Sequence, residues 1–192
     1  MGRPKQFDPD AAVTTAMNLF WSHGYGATTP AGLVDALGIG KGSLYNTFDS
    51  KHALFEQALR RYGDHRVAGL IAALRSPGPV KPRLRAVLER IAIPEQAEER
   101  RRGCMAVNTA TELGERDEAA SAIVRDVFDR MEAALAAAIE EGQQRGEIDA
   151  ALDARAVAGL FLTTMLGMTV IGRTGDPSPR LKRVVRALMS ML

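Results

Sequence analysis

The residues between Thr28 and Leu54 are of types and at spacings suited to holding phosphates and reading base edges. Two short segments, about 30–37 and about 41–48, meet across Gly38-Ile39-Gly40. Glycine tolerates positive φ, so the chain can reverse sharply there. Two short helices joined this way form a helix-turn-helix, whose second helix is free to enter a major groove. In that second segment Leu44 and Phe48 take the inward positions. Lys41, Gly42, Ser43, Tyr45, Asn46 and Thr47 take the outward ones. Residues 36–48 contain no acid that would repel phosphate. Lys41 and Lys51 put positive charge at the two ends, and the Tyr45 hydroxyl can donate to a phosphate oxygen. Over residues 1–52 the charges cancel: Arg3, Lys5, Lys41 and Lys51 stand against Asp8, Asp10, Asp35 and Asp49. DNA binding must therefore rest on placement, with Arg3 and Lys5 as a basic N-terminal arm.

Other chemistries find less support. Gly38-x-Gly40-x-Gly42 is not a dinucleotide fingerprint, because Ser43 stands where the third glycine belongs and no strand precedes it. Gly40-Lys41 is followed by Gly42 rather than Ser or Thr, so it is no phosphate loop either. His23, His52 and His65 lack carboxylates at metal-ligand spacing and are expected on exposed helix surfaces. No nucleophile elbow or Ser-His-Asp arrangement is legible, so neither enzyme activity, a metal nor a cofactor is expected. Cys104 is the single cysteine, which rules out an intrachain disulfide and suits a reducing, cytoplasmic compartment. It has two readings. At a helix N-terminus near Arg100–Arg102 its thiol would be activated for electrophile or redox sensing; alternatively it is a buried structural residue. Arg180, Lys182, Arg183 and Arg186 read as a solvated face.

These residues must be positioned by helices. Apolar residues make up 46% of the 192, enough for a core. No segment alternates with period two, and about nine helices can be placed, so the fold class is all-α. Asp8-Pro9, Thr29-Pro30 and Ser178-Pro179 pair a cap with a first-turn proline. Ser50 and Asp153 are further caps. The expected helices run from about Pro9 to Gly24, then about 30–37, 41–48, 50–74, 80–93 and 105–113. After these come about 28 residues from Asp117, then 154–174 and 179–191. The uncharged run Ala156–Gly172, between Arg155 and Arg173, is at the short edge for a membrane span and holds Thr163, Thr164 and Thr169. A buried helix is expected instead. The basic start Met1-Gly-Arg-Pro-Lys lacks a following apolar region, so no signal peptide is expected.

The N-terminal third resembles the TetR family (TetR/AcrR-like) of regulators. The match reads Ala16, Leu19-Phe20, Gly24-Tyr25, Thr28-Thr29, Leu33, Leu37-Gly38-Ile39, Lys41-Gly42-Ser43-Leu44-Tyr45, Phe48, Ser50-Lys51 and Leu54-Phe55. The stretch Gly103-Cys104-x-x-x-Asn108 further resembles one branch, some of whose members sense electrophiles or oxidants. The resemblance implies a homodimer built on helices 154–174 and 179–191. It also implies a C-terminal domain that binds a small molecule weakening DNA affinity, usually as a repressor released from a palindromic operator. Carried over by position, Thr28 and Thr29 correspond to phosphate contacts at the start of the second helix. Lys41, Gly42, Ser43, Tyr45 and Asn46 correspond to the recognition helix, and Lys51 to a phosphate-binding lysine. Gly40 departs from the Ser or Thr cap of many members, and glycine caps only slightly less well.

The expected division is 1–52 for DNA binding, a connecting helix at about 50–74, and 75–192 for effector binding and dimerisation. Asn108, Thr111, Phe128, Met131, Met165 and Met168, with Cys104, are the candidate ligand residues. Methionines tolerate varied shapes, which suggests an apolar effector. The rival reading is a helical small-molecule-binding protein without an operator.

Overall fold

The computed structural model describes residues 7–92, 101–174 and 178–192. Among these, nine helices of eight residues or more form the chain, with no strand. They are α1 (Pro9–His23), α2 (Pro30–Leu37), α3 (Lys41–Phe48), α4 (Lys51–Leu74), α5 (Val80–Ala92), α6 (Met105–Glu112), α7 (Glu118–Gln144), α8 (Ala154–Gly172) and α9 (Ser178–Met189). A 3-10 turn, Gly114–Arg116, joins α6 to α7.

The helix starts follow from capping chemistry. Asp8 accepts from Asp10 N–H, Thr29 from Gly32 N–H, Ser50 from Ala53 N–H, Asp117 from Ala120 N–H, and Asp153 from Arg155 and Ala156 N–H. Each satisfies a donor that has no partner inside its own helix. At the other ends Gly24 and Gly38 take positive φ, +84° and +63°, which suits glycine.

Two apolar clusters hold the chain together. In the first, Phe20 and Phe55 lie edge to face at 5.0 Å between α1 and α4, with Leu33, Leu44 and Phe48 closing α2 and α3 onto them. Burial of each large side chain is worth roughly 1.5–3 kcal/mol. The same cluster takes in Cys104, Met105, Ala106, Ala120, Ile123 and Val124, so the packing around the helix-turn-helix extends into α6 and the start of α7. The second cluster fills the space between the remaining part of α4 and α5, α7, α8 and α9. The longest seams are α7 on α8, α4 on α7 and α1 on α4.

The uncharged helix α8 is buried on one face within the chain. It is long and apolar enough to cross a membrane. Ala158, Phe161, Leu162, Met165 and Met168 are buried against the core, but Leu160 and Val170 are 39% and 50% exposed. One face alone is covered within the chain.

Candidate nucleic-acid interface

The turn between α2 and α3 is set by two glycines. Gly38 is left-handed and its N–H returns to Asp35 O, while Ile39 N–H returns to Val34 O. Gly40 is extended and caps α3 without a side-chain hydrogen bond. The first N–H groups of α3 thus keep their donor capacity beside the exposed Lys41, Gly42 and Ser43. A Cβ added at Gly38, Gly40 or Gly42 would meet nothing within 4 Å, so this corner of backbone is open to an approaching surface. Leu44 and Phe48 are buried, Asn46 and Thr47 are exposed, and Tyr45 is half-buried. The structure therefore brings Lys41, Gly42, Ser43, Tyr45 and Asn46 onto one acid-free stretch of helix surface. Arg3 and Lys5 lie outside the described residues.

The flanking candidates are placed differently from the expectation of phosphate contact. Thr28 is 5% exposed and donates its hydroxyl to Gly24 O at 2.7 Å. Its side chain is committed to the α1–α2 loop and does not face outward. Thr29 is exposed, with its Oγ1 capping α2. Lys51 Nζ donates to Tyr25 O at 2.9 Å and Thr28 O at 3.1 Å, and stands 4.0 Å from the Tyr25 ring centroid. It is half-buried and grips the α1–α2 loop from below, leaving only its remaining proton for an outside partner.

The same loop is held from the C-terminal side. Glu112, the last residue of α6, accepts from Tyr25 N–H at 3.0 Å and Gly26 N–H at 2.6 Å. His52 is not the exposed histidine expected: at the start of α4 it meets Asp117 Oδ2 at 2.7 Å and Glu56 at 3.1 Å. Burial works to raise the Asp117 carboxyl, but the hydrogen bonds from Ala120 N–H and His52 outweigh it and hold the carboxyl below its ordinary range. Burial, then the Asp117 charge, push the Tyr25 hydroxyl up. Trp21 Nε1 donates to Gly103 O at 3.0 Å, and Arg102 reaches Asn18 Oδ1 at 3.0 Å. Sequence reading missed Glu112 and His52 as linking residues, because nothing local marks a contact spanning 87 or 65 positions.

In the C-terminal half a cavity of about 190 Å³ opens between α4, α5, α7 and α8. Met131 and Met165 line it, as expected, together with Leu70, Val87 and Ile91. His65, Arg66 and Arg90 also border it, and none of these three was anticipated. Phe128 and Cys104 border a separate void of about 10 Å³ beside Tyr62. The other three candidate ligand residues line neither space. Thr111 is exposed and its hydroxyl returns to Val107 O and Asn108 O. Asn108 is spent on structure: Nδ2 donates to Arg102 O at 2.9 Å and Oδ1 accepts from Arg173 at 2.7 Å. Met168, 2% exposed, lies in the core. Cys104 itself is 8% exposed; it stands at the N-cap position of α6 without a side-chain capping bond, and its thiol lies in the first apolar cluster beside Tyr62. Burial, and then the neighbouring thiol, push the Tyr62 hydroxyl far up.

Comparison with known proteins gives a consistent picture. Residues 12–58 match the model for bacterial regulatory proteins of the tetR family, and residues 80–188 that for a tetracyclin repressor-like C-terminal domain. The HTH-type transcriptional repressor ComR of Escherichia coli is 33% identical over 184 residues, 95% of this chain and 88% of its own. The uncharacterized HTH-type regulator YezE of Bacillus subtilis is 28% identical over 193 residues, the full length of both. Among solved structures, a cysteine-substituted CifR bound to 26-bp double-strand operator DNA superposes with a TM-score of 0.85 at 26% identity, covering 98% of each chain.

Proposed function

The chain belongs to the TetR family of DNA-binding transcriptional regulators, and on that premise we propose that it is a homodimeric repressor released from a palindromic operator by a small molecule. The observation that carries the reading is the exposed, acid-free face of α3, presented on a glycine turn. In this assignment residues 1–52 read DNA, α4 connects, and 75–192 bind effector and dimerise. The protein acts in the cytoplasm as a regulator and not as an enzyme. Lys41 and the α3 N–H groups take phosphate, Ser43, Tyr45 and Asn46 face base edges or backbone, and Thr29 flanks them. Arg3 and Lys5 extend the contact as a basic arm.

Apolar side chains left open on α8, Leu160 and Val170, support pairing of α8 and α9 with their mates in a second copy. A two-fold dimer would then set two α3 helices in successive major grooves, about 34–36 Å apart. The effector occupies the α4–α5–α7–α8 cavity. It must bind the conformation that does not fit DNA more tightly than the one that does, since equal affinity shifts nothing. Two connections run from cavity to reader. One is α4, which carries both Leu70 and Lys51. The other is the α6–α7 corner, which carries Glu112 and Asp117.

The test is selection from random duplex DNA at fixed salt, followed by anisotropy titration. A palindrome should be enriched. Asn46→Ala should cost about 1–3 kcal/mol at one base position, while Lys41→Ala should weaken all sequences alike and lower the salt slope by about 1. Weak, salt-sensitive binding of every sequence would favour a ligand-binding protein without an operator.

A further inference from the structure

We propose that the effector is an amphipathic anion, with its apolar body in the cavity between α4, α5, α7 and α8 and its anionic head at the mouth between Arg66 and Arg90. This rests on the reading of the C-terminal half as an effector domain and names the class of molecule that domain takes.

The lining divides into two parts. Leu70, Val87, Ile91, Met131 and Met165 supply an apolar wall from four helices. Arg66 and His65 from α4, and Arg90 from α5, supply the polar part, and no Asp or Glu lines the cavity among the described residues. Six arginines stand on α4 and α5. Arg60, Arg61, Arg83 and Arg85 each have a carboxylate within 4.0 Å, whereas Arg66 and Arg90 have none among the described residues. The two without a carboxylate among the described residues are the two at the cavity. Guanidinium groups on facing helices, above an apolar wall, suit a carboxylate carried on a hydrocarbon chain. A neutral molecule would leave that charge unused, and a cation would be repelled.

The cavity, about 190 Å³, sets the scale of the apolar body. Met131 and Met165 also line the smaller void beside Tyr62 and Cys104. These flexible thioethers form the partition between the two spaces, and their rotation would admit a longer chain. Gly69 lies on the cavity lining, and a Cβ built there meets nothing within 4 Å.

The test uses the full-length protein and titration calorimetry with octanoate, 1-octanol and octyltrimethylammonium. Octanoate should bind at least tenfold more tightly than octanol, and the ammonium should bind most weakly. The double variant Arg66→Gln/Arg90→Gln should abolish the preference for octanoate over octanol. Gly69→Leu, which improves a helix position and fills the mouth, should weaken octanoate at least tenfold without lowering the melting temperature. Equal affinity for octanol, preference for the cation, or no binding of any probe would overturn the proposal. Operator affinity is measured on the same preparation without probe. Intact operator recognition with no anion preference sinks this inference alone. Absent operator recognition sinks the repressor reading, while calorimetry still decides the ligand class.

Discussion

Replacing Glu112 by Ala should loosen the helix-turn-helix without altering any residue of α2 or α3. The Glu112 carboxylate accepts two backbone N–H groups, from Tyr25 at 3.0 Å and Gly26 at 2.6 Å. Hydrogen bonds to charged groups are worth about 1.5–3 kcal/mol each when protected, and less where water can replace them. The Gly26 bond is exposed and the Tyr25 bond part-buried, so the pair together should be worth about 1.5–3 kcal/mol. For a chain of this size each kcal/mol shifts the midpoint by about 2–4 °C, giving a fall of about 3–12 °C. The loop these bonds hold leads into Thr29, the cap of α2, so operator affinity should fall as well. Lys51 grips the same loop through Tyr25 O and Thr28 O. A double-mutant cycle of Glu112→Ala with Lys51→Met should therefore show coupling above about 0.5 kcal/mol. Thermal melts and anisotropy on the operator give both readouts. An unchanged midpoint together with unchanged operator affinity in Glu112→Ala would refute the claim that this seam joins the two halves.

Three further outcomes follow from the geometry. The Asp117 carboxyl is held below its ordinary value of 3.8, where hydrogen bonds from Ala120 N–H and His52 outweigh the burial that opposes them. A depressed folded-state pKa contributes stability that is full above the unfolded value and is lost as pH falls through the folded one. Stability should therefore drop below about pH 4, and Asp117→Asn should flatten that acid limb in urea melts; an identical limb would count against the reading. Gly63→Ala should destabilise, because the added Cβ would fall on Val127 Cγ2 across the α4–α7 seam. The overpacking cost of about 1–3 kcal/mol exceeds the helix-propensity gain of about 1 kcal/mol, and Val127→Ala in the same chain should recover part of the loss. Val170→Glu, on the half-exposed face of α8, should shift the sedimenting species from dimer to monomer; an unchanged dimer would move the interface elsewhere.

The local parts of this fold were legible because their causes are local. The caps at Asp8, Thr29, Ser50 and Asp153 each bond an N–H within three residues, and each was read from sequence, as was the start of α7 near Asp117. The exposed face of α3 was legible for the same reason: Leu44 and Phe48, one turn apart, fix which side of the helix is left to solvent. Thr28 was not. Whether its hydroxyl turns in or out depends on the Gly24 carbonyl, whose direction is set by a left-handed glycine and by Glu112 pressed against it. Asn108 likewise reads as a polar residue inside an apolar stretch, and only the fold shows that Arg102 and Arg173 use both ends of its amide.

What stayed hidden concerns which faces meet, and periodicity carries no information about that. It marks an apolar stripe but does not say whether another helix of the same chain or another molecule covers it. The α8 run shows the difference. An uncharged stretch of this length reads as a buried helix without saying what covers each side; this chain supplies neighbours for the face of Phe161 and Met165 and leaves Leu160 and Val170 open. A membrane is a poor cover for the open face, because the opposite face of the same helix is already packed into a core with α5 and α7. Covering by an identical helix needs no new surface and closes on itself through a two-fold axis. Under that arrangement the unusual composition of α8 has one cause along its whole circumference, half met within the chain and half across the axis. It would also explain why a single substitution at Val170 should be felt as a change of assembly and not of fold.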